Sequence, residues 1–267
     1  MKGIANKHRA RTAAESILEK YYINDPCELP FKAIMGAENV YYQERKLKGC
    51  LGNMVRNQRH GSITVSNEIT YEPQKRFVTA HELGHWFLHK DVPNFNCDDK
   101  KLHEWHGGGS KYEIEANTFA SELLMPHILF KACCQGKVFS RALIEELSNK
   151  FYTSLTATAF RFTDIGNESL MVVYSQNGFI KWYKPSSDFR FSFYEGRSPI
   201  PKGTVTESYY AKELDDHETE VVVAQKWFHN DWSTKEDHYL NECIIPLKKL
   251  NACLTFLWEH EVNFEEF

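Results

Sequence analysis

The chain has 267 residues, enough for one large domain or for two smaller ones around separate cores. Its 42% hydrophobic and 25% charged residues suit a folded globular protein. A formal net charge of −4 excludes an overall positive field that would draw it to nucleic acid or anionic lipid, leaving only a local basic face open to such partners. No stretch approaches the roughly 18–20 apolar residues of a membrane span, so no membrane partner is expected. The basic N-terminus MKGIANKHRARTAAESILEK lacks the apolar core of a secretory signal. Seven cysteines (27, 50, 97, 133, 134, 243 and 253) form an odd set without a CxxC pair. They argue against a disulfide framework or a four-cysteine zinc site, and for a reducing, cytoplasmic compartment. The vicinal pair Cys133-Cys134, on an apolar run, reads as buried thiols.

In chain order, Ala13, Ile17, Leu18 and Tyr21 recur at helical spacing and predict a helix over 10–22, stopped by Asp25-Pro26. A short helix at 30–36 and a strand from Val40 follow. Residues 50–57 and 61–67 are strand candidates joined by a turn between Asn57 and Gly61. Pro73 suits the first turn of the next helix, which should run to about Lys90. Residues 91–111, with Pro93 and the run Gly107-Gly108-Gly109, read as an irregular loop. A helix at 112–125 stops at Pro126, and two more are expected at 140–151 and 154–163. Beyond Gly166 the pattern turns to strands: 170–174 and 179–183 around an Asn177-Gly178 turn, then 221–223, 242–245 and 254–258. The expected fold class is α+β: a first domain over 1–130, a helical joint over 131–166, and a β-rich C-terminal domain over 167–267.

The chemistry-bearing string is His81-Glu82-Leu83-Gly84-His85. On a helix, His81 and His85 lie one turn apart on one face and can point at a single ion. Glu82 sits about 100° round the axis, where its carboxylate can take a proton from a metal-activated water. Phe77, Ala80, Gly84 and Leu88 form an adjoining apolar stripe, and Gly84 suggests close packing. Zinc catalysis needs a third protein ligand. His89 is eight residues past His81, about 12 Å along a helix, too far to share the ion. The better source is the helix at 112–125. There Glu113 and Glu115 flank the apolar face of Ala116, Phe119, Ala120, Leu123 and Leu124 on opposite sides, and periodicity does not choose between them.

The strings RFVTAHELGHWFLH and, following it, EIEANTFASELLMP resemble the ImmA/IrrE family of bacterial and phage metallopeptidases. The likeness covers roughly residues 10–185, including SNKFYTSLTATAFRF after the core. It implies a zincin-like metallopeptidase domain. It also implies a Zn²⁺ site of His81, His85 and a glutamate on the following helix; the Glu-Ala-Asn match makes that Glu115, with Glu113 as the alternative. Two departures stand out. The 91–111 loop, with His103, Trp105 and His106, looks inserted, and the C-terminal region carries no assignable motif.

The expected activity is therefore a zinc metallo-endopeptidase, with Glu82 as general base and Tyr112, His103 and Lys111 as unranked candidates for a second oxyanion donor. The strand at 61–67 is a candidate for binding substrate by strand addition. The resemblance implies one regulatory protein as substrate, typically a DNA-binding repressor. Two other classes of function are open. One is a metal-containing binding or sensor module, using an aromatic pocket from Trp182, Tyr183, Phe189, Phe191, Phe193 and Tyr194. The other is a DNA-binding regulator acting through 131–166, with Arg141, Lys150 and Arg161 on phosphates; the sparse basic residues favour a simple helical connector instead.

Overall fold

The computed structural model describes residues 4–97, 110–192, 198–212, 219–231, 234–235 and 237–260. The fold is mixed α+β, as expected. The chain separates into two compact units, 1–133 with 146–157 and 134–145 with 158–267, so the stretch expected as a joint is divided between them.

In the first unit, α1 (Lys7–Lys20), α2 (Phe31–Ala37), α3 (Glu72–Leu88) and α4 (Lys111–Leu124) accompany a four-stranded sheet. Its strands β1 (Val40–Arg45), β2 (Gly52–Arg56), β3 (Gly61–Ser66) and β4 (Asn94–Cys97) lie in the order β1-β3-β2-β4. Strand β3 runs parallel to β1 and antiparallel to β2, and β4 adds antiparallel to the outer side of β2. The β2–β3 turn forms where expected: Asn57 Oδ1 accepts from the N–H groups of Arg59 and His60, an Asx-type closure. Two expectations are corrected. Part of the 91–111 loop is strand β4, because Asn94–Cys97 finds a free edge on β2 that local propensity does not reveal; the rest of that loop lies largely outside the described residues. Strand β3 cannot take a substrate strand, because both of its edges are already paired.

Helix α3 is anchored over this sheet by its sequence. Pro73 occupies its first turn, where no N–H is required. The ring of Trp86 lies so close to Gly61 that a Cβ there would meet it at 2.4 Å, and the Arg56 guanidinium stacks on the same ring at 4.3 Å. On its other side α3 meets α4. A Cβ on Gly84 would lie 3.2 Å from the Ala116 Cα and 3.1 Å from the Phe119 ring, so the glycine lets the two helices cross at van der Waals distance. That crossing sets the histidines of α3 against the first turns of α4.

The helices α5 (His127–Cys134), α6 (Arg141–Phe151) and α7 (Leu155–Ile165) follow. Arg161 is buried, which removes it from the three cations proposed to face phosphates, and Arg141 is ion-paired to Glu145 at 2.8 Å. Cys134 is buried and Cys133 half-buried, and none of the described cysteines forms a disulfide.

The second unit is a five-stranded antiparallel sheet, β5 (Leu170–Gln176), β6 (Phe179–Pro185), β7 (Glu220–Val223), β8 (Tyr239–Leu247) and β9 (Ala252–Glu259), in the order β6-β5-β9-β8-β7. Asn177 and Gly178 both take positive φ (54° and 77°) in the β5–β6 turn, as an Asn-Gly hairpin requires. Phe256 and Trp258 on one face of β9 pack against Phe139, and Leu257 on the other joins a core with Trp227, Phe228 and Phe191. Phe189 and Phe191 pack on Phe228, and Trp182 stacks on Tyr174 at 5.2 Å, so these aromatics are spent on packing rather than on a ligand pocket. Phe193 and Tyr194 lie outside the described residues. Two short helices, α8 (Val205–Tyr210) and α9 (Ala224–Trp227), complete the unit.

Candidate metal centre

His81, Glu82 and His85 are all fully buried on α3. The two histidines turn their Nε2 atoms toward each other, 3.0 Å apart. Glu113, in the first turn of α4, places Oε2 3.2 Å from His81 Nε2 and 3.8 Å from His85 Nε2. One ligand atom from each residue lies within 4.8 Å of the others, the spacing of groups gathered round one ion. The structure thus brings Glu113, rather than the expected Glu115, to the histidine pair. The reason is angular: two residues on a helix are separated by about 200°. When the close Gly84–Ala116 crossing aims Glu113 at His81 and His85, Glu115 is turned off that pair and toward His89 at the end of α3.

Electrostatics reflect the convergence. Burial alone would favour a neutral Glu113 carboxyl, but its contacts with His81 and His85 outweigh that and hold it below the usual carboxylate range. Burial chiefly drives His85 down to about 3, which leaves the imidazole neutral at physiological pH, the form that donates a lone pair. His81 Nδ1 lies 2.8 Å from Asn117 Oδ1, so the Nδ1–H is donated to the amide oxygen and the Nε2 lone pair is turned toward Glu113 and His85. Asn117 was not anticipated. Its signal was its position four residues past Glu113, on the same helical face.

The donor set of two neutral imidazole nitrogens and one carboxylate, all buried, fits a divalent ion. With metal–nitrogen distances near 2 Å, an ion suits ligand atoms spaced as these are. Glu82 lies against β2: a Cβ at Gly52 would meet Glu82 Oε1 at 2.3 Å. Gly52 is therefore the residue that makes room for the carboxylate, a second position that motif reading passes over.

Phe95 of β4 stacks on the His85 ring, with centroids 3.8 Å apart and planes 15° apart, while its carbonyl accepts from Asn53 Nδ2 at 2.8 Å. His89 is the C-cap of α3, a helix-end residue as expected. Its Nδ1 lies 2.9 Å from His85 Nδ1 and its Nε2 3.0 Å from Glu115 Oε2. Beside this pair opens a recess of about 340 Å³ whose lining includes Lys111 and Tyr112, two of the expected oxyanion donors. The Tyr112 ring rests edge-on against His89, at 4.9 Å. The third candidate, His103, lies outside the described residues. No helix among the described residues is long and apolar enough to cross a membrane.

The family model Peptidase_M78, described as the IrrE N-terminal-like domain, matches residues 35–163. The chain is 30% identical over 118 residues to "Uncharacterized immunity region protein 2" of Bacillus phage phi105, a match covering 43% of this chain and 68% of that protein. It is 35% identical over 99 residues to the metallopeptidase ImmA of Bacillus subtilis (strain 168), covering 36% of this chain and 53%, about half, of ImmA. Among solved structures, a Mycobacterium tuberculosis transcriptional regulator shares the fold, with a TM-score of 0.57 at 14% identity over 94% of this chain and 76% of that one.

Proposed function

The chain belongs to the ImmA/IrrE family of metallopeptidases, and from that premise we propose that it is a zinc-dependent endopeptidase acting on a specific regulatory protein. The observation that carries this reading is the buried meeting of His81 Nε2, His85 Nε2 and Glu113 Oε2 on two crossing helices. In the proposed site these three residues hold the ion, with Glu113 taking the place first expected of Glu115. Zinc is the favoured metal because two histidines and a glutamate, with a position left for water, are a catalytic zinc set. Iron and manganese also accept such ligands.

When bound, the ion supplies Lewis acidity toward a water and toward the peptide carbonyl. The protein's own part falls to Glu82. Its carboxylate accepts the proton of the attacking water and returns it to the departing amine, acting first as base and then as acid. Neighbouring Gly52 leaves space for that carboxylate, and Asn117 keeps the His81 ring in the tautomer that coordinates. Burial of the cluster excludes bulk water and strengthens each of these interactions.

The substrate class proposed is a DNA-binding repressor. Support comes from the family and from the names of two relatives, a phage immunity region protein and ImmA. The test is to incubate the zinc-loaded chain with host lysate and count new protein N-termini by mass spectrometry, alongside Glu82→Gln. Cleavage confined to one or a few DNA-binding regulators, and lost in Glu82→Gln by roughly 10²–10⁴-fold, is the expected result. Equal cleavage by the variant would remove the mechanism, and cleavage of unrelated proteins only would remove the substrate class.

A further inference from the structure

The two histidines of the candidate metal centre are held in different ways. His81 leans on a neutral amide, Asn117. His85 leans on a second imidazole, and that imidazole leans on a carboxylate: His85 Nδ1 to His89 Nδ1 at 2.9 Å, then His89 Nε2 to Glu115 Oε2 at 3.0 Å. The other oxygen, Glu115 Oε1, accepts the backbone N–H of Asn6 at 2.8 Å, just ahead of α1. His85, His89 and Glu115 are all buried.

The proton positions along this chain are mutually determined. If His85 Nε2 is a ligand, Nδ1 must carry the proton and donate it to His89 Nδ1. His89 then carries its own proton on Nε2 and donates it to Glu115, whose remaining oxygen is satisfied by Asn6. Every donor meets an acceptor. Reverse the His85 tautomer with both rings neutral, and His89 must protonate Nδ1, setting the bare Nε2 lone pair against a buried carboxylate oxygen at 3.0 Å. That arrangement is repulsive, so the His89–Glu115 contact favours the tautomer that turns the His85 Nε2 lone pair to Glu113 and His81, where a cation would sit among them. The helix end makes the contact possible. His89 leaves helical geometry as the C-cap, at φ −117° and ψ 57°, while its N–H still reaches the His85 carbonyl at 3.1 Å.

We propose that His89 and Glu115 form an anionic positioning relay that fixes the His85 tautomer and ring orientation and strengthens His85 as a ligand. This rests on the metal-centre reading above and deepens it. It gives Glu115 a place outside the ligand shell, behind His85 by way of His89. It also ties the metal centre to the start of the chain, since Asn6 completes the relay.

The purified 267-residue chain is titrated with Co²⁺ against a competing chelator, following the visible d–d bands, for wild type, Glu115→Gln and His89→Leu. Glu115→Gln matches the shape of the native side chain, so it separates the relay from a folding defect if the leucine variant is unstable. The relay predicts one Co²⁺ per chain in every folded variant, with affinity lowered by roughly 10–100-fold and the d–d bands shifted. A purely structural role would lower thermal stability while leaving affinity and spectrum unchanged, and that result overturns the relay alone. Complete loss of binding in Glu115→Gln with normal binding in His89→Leu would make Glu115 a ligand, and also overturns it. A wild-type chain that takes up no Co²⁺ overturns the metal-centre reading, and the relay with it.

Discussion

Glu113 in the first unit and Glu242 in the second are both buried, and to different ends. Glu242, on β8 in the second unit, is surrounded by donors. Oε1 accepts from the Thr206 N–H at 2.9 Å and the Thr206 hydroxyl at 2.7 Å, and Oε2 accepts from Trp227 Nε1 at 3.1 Å. Burial nevertheless pushes its carboxyl above the ordinary value, only partly offset by those bonds. Glu113, in the first unit, faces His81 Nε2 and His85 Nε2 at 3.2 and 3.8 Å, the two nitrogens that offer lone pairs when each ring carries its proton on Nδ1. A carboxylate whose neighbours all donate is a closed fastening, here pinning two short helices, α8 and α9, to the sheet. A carboxylate grouped with other acceptors is an incomplete arrangement that a cation completes. Burial and charge alone do not distinguish the two; the direction of the neighbouring hydrogens does.

That contrast breaks first if Glu242 is expendable. Glu242→Ala leaves the Thr206 N–H and Trp227 Nε1–H buried without an acceptor, while the Thr206 hydroxyl keeps Thr255 Oγ1 at 2.7 Å; chemical denaturation should show a loss of roughly 3 kcal/mol, with metal affinity unchanged. A loss below about 0.5 kcal/mol, the scale of an ordinary surface substitution, would show that Glu242 fastens nothing. On the other side, Gly52→Ala should leave metal content intact while forcing the Glu82 carboxylate aside. Peptidase turnover should fall roughly 100-fold, the low end of a general base's contribution; wild-type turnover would show that the close Gly52–Glu82 approach is irrelevant to the chemistry. The mildest effect is expected from Asn117→Ala, which frees the His81 ring without removing a ligand. Isothermal titration with Zn²⁺ should show affinity about tenfold weaker at unchanged stoichiometry, and unchanged affinity would mean that the amide does not orient the ring.

Much of this was legible in the chain itself. Helical spacing around the HExxH string located α3, and Asn177-Gly178 located the β5–β6 hairpin, because both signals are local. Glu113 against Glu115 was not legible. Both carboxylates are on the same helix turn, and the choice depends on how α4 crosses α3 at Gly84, a tertiary contact. The resemblance pointed to this helix and favoured Glu115 over Glu113, while the structure brings Glu113 to His81 and His85; the Glu-Ala-Asn string does not report which face of α4 meets them. Strand β4 escaped for a related reason: its four residues are strand only because β2 has an edge to offer. Helices α8 and α9 are too short to show a period, and Glu242 holds them in place from a distant strand.

The central claim, that His81, His85 and Glu113 are the metal ligands, is tested most directly by the zinc content of dialysed wild type, Glu113→Ala and Glu115→Ala, measured by atomic emission beside circular dichroism to verify folding. The expected result is one zinc per chain in wild type, essentially none in folded Glu113→Ala, and zinc retained with weakened affinity in Glu115→Ala. Full zinc in Glu113→Ala, or its loss in Glu115→Ala alone, would contradict the ligand set.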